Sequence, residues 1–182
     1  MTKPETISLG MKPTKYLKAI EALCLNCGLC CNGVLFGDVE LQRADRSARL
    51  QALGFELFKK GRKRAFAQPC SCFNGSRCSI YPERPAHCAG FECGLLKRTQ
   101  AGRITTSAAL KTIAVAKRKV AKVESLLLPS GAEDGGASLR QRYSETMSAP
   151  LDLSVRRGLD HQGRLMESMH ELMELLQAKF LQ

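Results

Sequence analysis

Four cysteines within eight residues, Cys24-Leu25-Asn26-Cys27-Gly28-Leu29-Cys30-Cys31, constrain this chain more than any other feature. A two-residue gap lets the backbone turn so that paired sulfurs reach one point in space. Gly28 suits such a turn because it accepts positive φ cheaply. A third thiol at the same gap goes beyond the usual zinc pair. CxxCxxC with a distant fourth ligand is how ferredoxin-type runs hold a cubane iron–sulfur cluster.

The chain has nine cysteines, all between Cys24 and Cys93. An odd number cannot pair completely into disulfides. Met1–Leu9 lacks the apolar core of a secretory signal, which points to a cytoplasmic, reducing setting where clustered thiols serve as metal ligands. No apolar run reaches the length of a membrane span, and Leu126-Leu127-Leu128 is stopped by Pro129. With 182 residues the chain can bury a real core, so metal need not supply all of its stability. Trp is absent and aromatic residues are few, so that core is expected to be aliphatic. The formal charge of +11 also needs correcting. Eight thiolates subtract eight charges and two divalent ions return four, which leaves +7.

Along the chain, the stretch to about Pro13 reads as a polar, poorly ordered arm, and Tyr16–Leu23 as a short helix entering the cysteine run. Gly33–Leu41 suits a short strand, and Arg43–Leu53 a helix ended by Gly54. Phe55–Phe58 and Arg64–Ala67 flank Lys59-Lys60-Gly61-Arg62-Lys63, the pattern of a β-hairpin with a basic tip. The cations from Lys59 to Arg64 raise nucleic-acid binding as an alternative, although stacking aromatics and known binding motifs are missing.

A second cysteine block runs from Cys70 to Cys93. Asn74-Gly75 marks a turn within it. Pro82 and Pro85 are expected to hold Tyr81 and Arg84 away from helical backbone angles, giving an extended, stiff scaffold. Helices follow. Thr105 or Thr106 caps one that runs to about Leu128, with Ala109, Ile113, Ala116, Val120, Val123 and Leu127 as its apolar stripe. Residues 129–138 form a glycine-rich loop, Leu139–Met147 another helix, and Leu159–Phe180 the last. Leu165, Met169, Leu172, Leu176 and Phe180 share one face of that last helix, widened by Met166 and Met173. Core packing is the plain reading of this Met/Leu-rich face, and a protein partner the alternative. The fold class expected is α+β, mainly helical: a small irregular cysteine module stapled by metal, with a short hairpin, followed by packed helices. The divisions expected are a chelating module over 14–96 and a helical region over 97–182.

The two blocks together offer eight thiols as metal ligands: Cys24, Cys27, Cys30, Cys31, Cys70, Cys78, Cys88 and Cys93. The pattern CxxCxxCC, a cysteine before a glycine turn, then Cys78-Ser79-Ile80-Tyr81, Arg84-Pro85 with Cys88, and Phe91-Glu92-Cys93 resembles the YkgJ-type cysteine-cluster family of zinc- or iron-chelating domains. The likeness covers about residues 22–96 and implies metal binding. Members often carry Arg where this chain has Ala89, so Arg84 or Arg77 must offset thiolate charge here. Cys72 lies outside the pattern and is left out of the ligand set. A larger relative of this cluster is a flagellin lysine methylase, which implies an iron–sulfur enzyme as an alternative.

Eight thiols divide evenly into two four-cysteine zinc sites, yet the CxxCxxC triple favours an iron–sulfur cluster on Cys24, Cys27, Cys30 and a distal cysteine. Cys31 would then serve a second site, and the remaining pairing stays open. His87 reads as an exposed imidazole beside Cys88, and His161 and His170 as helix-surface residues. Asp38 and Asp45 read as caps or surface groups. No P-loop, dinucleotide fingerprint or nucleophile–base pair is present. The expected function is therefore a non-catalytic metal-binding module that carries, senses or is stabilised by iron–sulfur or Zn2+.

Overall fold

The computed structural model describes residues 22–75, 77–128, 136–148 and 156–182. The arm before Pro13, residues 16–21 of the first expected helix and most of the glycine-rich loop lie outside them. Residues 22–27 are helical (α1), so the first CxxC gap is a helical turn that sets Cys24 and Cys27 on one face. This corrects the expectation of a tight loop there. The loop begins one residue later, at Gly28 (φ +74°), where Cys31 and Asn32 both donate to the Gly28 carbonyl.

Three short strands follow, β1 (Asp38–Glu40), β2 (Leu57–Lys60) and β3 (Lys63–Ala67), in the antiparallel order β1-β3-β2. Helix α2 (Ser47–Ala52) links β1 to β2. The central strand opposes Phe66 to Val39 on one side and to Leu57 on the other. Phe66 meets Phe55 edge to face at 4.7 Å, and Val39, Leu41, Leu50 and Cys72 close this small core. The strand expected over 33–41 shrinks to three residues because the chain from Leu29 to Leu35 first curls back, with Leu35 N–H donating to the Leu29 carbonyl. The hairpin and its basic tip stand as expected. Lys60 pairs with Asp38 at 2.7 Å and Lys63 with Glu40 at 2.8 Å, so part of the tip's charge is already answered.

The second block is not an extended scaffold. Tyr81–Glu83 make a 3-10 turn, and Ala86–Gly90 (α3) and Gly94–Gln100 (α4) are helices. Proline is tolerated in a first turn, where its missing N–H has no partner to lose. Pro82 sits in that position, so Tyr81 is drawn into the turn rather than held out of it. Arg84, just before Pro85, does stay extended, at φ −61° and ψ 151°.

Helix α5 (Thr106–Leu127) starts at Thr105, whose hydroxyl accepts from Ala108 N–H at 3.1 Å. Helices α6 (Leu139–Ser148) and α7 (Arg156–Lys179) complete the chain. Every residue of the α5 stripe is buried, as are Leu165, Met169, Leu172, Leu176 and Phe180. These two faces form the main core, which also takes in Leu23, Leu29 and Val34 from around the first cysteine block. The Met/Leu-rich face is thus occupied within the chain, and Met166, at 52 % exposure, is the part of it left facing solvent. Lys119–Glu171 (2.6 Å) ties α5 to α7, and Arg142–Glu124 (3.5 Å) ties α6 to α5. The chain is α+β and mainly helical. Among the described residues, no helix is long and apolar enough to cross a membrane.

Candidate metal centre

The two cysteine blocks are joined by backbone before any side chain is considered. Cys70 N–H donates to the Cys31 carbonyl at 2.8 Å. Between the blocks lies a cavity of about 160 Å³. Cys24, Cys27, Cys30, Cys31, Cys70, Cys78, Cys88 and Cys93 all line it, and Cys72 does not. Cys72 is 6 % exposed in the small core, and its thiol donates to the Leu53 carbonyl at 3.7 Å. All nine cysteines are free thiols.

Mutual charge effects run through all eight, and the leading ones follow two groupings. Cys24, Cys27 and Cys30 each feel Cys93. Cys31 feels Cys78 and Cys88 first and Cys27 and Cys24 after them, Cys70 feels Cys31, Cys72 and Cys78, and Cys88 feels Cys70 and Cys78, while Cys31 also acts on Cys30. The leading influences group Cys24, Cys27, Cys30 and Cys93 as a first set and Cys31, Cys70, Cys78 and Cys88 as a second, with weaker influences crossing between them through Cys30 and Cys31. The consecutive residues Cys30 and Cys31 fall into different sets. Among the described residues, no three His, Cys, Asp or Glu side chains meet closely enough to hold an ion as they stand. The thiols ring the cavity rather than converging on a point.

Burial dominates their chemistry. It pushes the Cys24 thiol up to about 11 and Cys27, Cys31, Cys70 and Cys88 up to about 12, with neighbouring thiolates adding to the rise. Cys30 is raised well above the ordinary thiol value by burial, and Cys78 and Cys93 are raised for the same reason. A buried thiolate needs compensation, and the structure supplies it in two forms. Backbone N–H groups donate to sulfur: Leu29 to Cys27, Cys72 to Cys70, Ile80 to Cys78, and Leu95 and Leu96 to Cys93. Cys93 is the N-cap of α4 and accepts from Leu96 N–H at 3.4 Å, where the helix dipole also favours negative charge. Cations act as well, Lys117 on Cys27, Arg98 on Cys93, and Arg84 on Cys24, Cys78 and Cys88.

Half-buried thiols with N–H donors and cations nearby fit a thiophilic ion such as zinc or iron, which would be held as a thiolate complex. Such an ion would replace the thiol protons and supply the positive charge that the pocket otherwise lacks.

The other candidates differ in place. His87 lines the same cavity but is exposed, with its Nδ1 3.5 Å from Gln42 Nε2. His161 is half-buried and bonds the Leu126 carbonyl at 2.8 Å, so it is a link between α7 and α5 rather than a surface residue. His170 does have an acidic neighbour, Glu174 one turn on at 3.4 Å, and both are exposed. Asp45 accepts from Gln42 N–H and from Ala86 N–H, both at 2.7 Å, and so caps the first turn of α3, the helix that carries Cys88. Two residues at the cavity were given no role from sequence. Tyr81 lines the cavity and its side chain acts to lower the Cys24 thiol, and its place in the Ile80-Tyr81 motif was the available signal. Gln68 lines the cavity at 2 % exposure with its Oε1 lacking a partner among the described residues, and nothing in its sequence neighbourhood marks it.

The described fold thus turns eight half-buried thiols toward one cavity. Residues 23–111 match the model of the CxxCxxCC family, described as "Putative zinc- or iron-chelating domain". No curated protein and no solved structure matches the chain.

Proposed function

We propose that this protein holds two metal centres through eight thiolates, the first on Cys24, Cys27, Cys30 and Cys93 and the second on Cys31, Cys70, Cys78 and Cys88. That all eight line one cavity while the ninth cysteine lies outside it carries the reading. The CxxCxxC run with Cys93 suits a cubane iron–sulfur cluster, and a four-thiolate set suits zinc equally in donor number. The ligands fall within the module proposed over 14–96, and helices after residue 97 wall it. The role is binding, carrying or sensing metal without catalysis, since four thiolates close each set.

Purification of the full chain under anaerobic conditions, followed by metal analysis and an absorption spectrum, tests this. Iron with visible charge-transfer absorption identifies a cluster, and colourless protein with zinc identifies zinc sites. Folded full-length protein that carries no metal and takes up neither zinc nor iron overturns the proposal.

A further inference from the structure

Arg84 occupies an unusual place. It lines the cavity shared by both thiol sets, and its guanidinium is fixed on three sides. Nη1 donates to the Tyr81 carbonyl at 2.7 Å, Nε donates to the Cys88 carbonyl at 3.3 Å, and the plane lies 3.8 Å over the Tyr81 ring. Both Tyr81 and Arg84 act to lower the Cys24 thiol of the first set, and Arg84 acts likewise on Cys88 of the second. The cation is thus anchored to one residue from each set's surroundings.

Four thiolates around a divalent ion leave about two surplus negative charges, and two such centres sharing one cavity repel each other. We propose that Arg84 is a positioning residue common to both sets, whose fixed positive charge lets the two centres be filled at the same time. This rests on the two-centre reading above. No bond is made to Arg84. Metal enters, thiol protons leave to solvent, and the guanidinium stays charged throughout. Lys117 and Arg98 act on the first set, so neither can substitute for a cation that faces both.

The test loads the full chain with Co2+ and strips it stepwise with a chelator, following thiolate-to-cobalt absorption. Wild type is expected to lose cobalt in two steps. Arg84→Gln, which keeps an amide donor but removes the charge, is expected to weaken both steps by about tenfold or more. Arg84→Lys, which keeps the charge but loses the fork, is expected to recover most of that loss. A Gln variant that matches wild type, or that weakens one step alone, overturns the shared role. A Lys variant as impaired as the Gln variant also overturns it, because hydrogen bonding rather than charge would then be what matters. If Arg84→Gln does not fold, Arg84→Lys decides by itself: two steps near wild type support the role and two weakened steps refute it. A wild-type protein that binds no cobalt defeats the two-centre reading, whereas two normal steps in the Gln variant defeat only the role of Arg84.

Discussion

Cys70 donates its backbone N–H to the carbonyl of Cys31 at 2.8 Å, joining the two cysteine blocks through main chain alone. The bond does not involve either sulfur. Replacing Cys31 with Ser therefore keeps the junction while removing a thiol from the second set. We expect Cys31→Ser to cost the ion of the second set and leave that of the first, halving the metal content measured by native mass spectrometry. Cys24→Ser should do the reverse, and its melting temperature should fall because thiolate-bound metal contributes directly to folding. Loss of both ions in both variants would contradict the partition into two sets.

Gly28→Ala should destabilise the loop by about 2 kcal/mol, read from urea denaturation. The residue sits at φ +74°, and an added Cβ would fall 2.8 Å from the Phe73 ring. Gly54→Ala provides the comparison. Its φ is +86° but no atom lies within 4 Å of the added carbon, so its cost should be the backbone's alone, about 1 kcal/mol.

Leu172→Ala should cost about 2–5 kcal/mol in the same measurement. Leu172 is fully buried where α7 meets α5, and Val123 in the same core is equally enclosed. An unchanged denaturation midpoint would show that this helix pair does not form the core.

Stability should depend on alkaline pH once metal is stripped. The Cys27, Cys31, Cys70 and Cys88 thiols sit at about 12 in the folded chain, against about 8.5 for an unperturbed thiol. The folded state thus holds these protons more tightly than the unfolded state does. Their contribution is complete below the unfolded value and is lost as pH rises through the folded one. Chelator-treated protein should therefore unfold at lower urea as pH is raised from about 8 to about 10. Stability that rises over this range would refute the burial of these thiols.

Much of this was legible in sequence because it rests on periodicity. The α5 stripe from Ala109 to Leu127 and the α7 face from Leu165 to Phe180 are spaced for a helix, and the structure buries both. The hairpin tip was equally visible, since Gly61 separates two alternating runs. Other features depend on tertiary contacts and leave no local pattern. Nothing near Asp45 announces that it caps a helix 41 residues away, and nothing near Gln68 announces a cavity. The prolines misled for a third reason. Pro82 excludes a helix interior but fits a first turn, and sequence alone does not say which position it occupies.

The end of α7 is fastened beside a thiol. Gly94 N–H, adjacent to Cys93, donates to the Phe180 carbonyl at 2.9 Å, and Arg98 donates to the Ala178 and Lys179 carbonyls at 3.4 and 2.6 Å. The longest helix among the described residues thus ends against the residue next to Cys93 of the first thiol set. Detachment of α7 and disturbance of Cys93 become a single event, so a metal-release assay doubles as a gauge of how firmly that helix is latched.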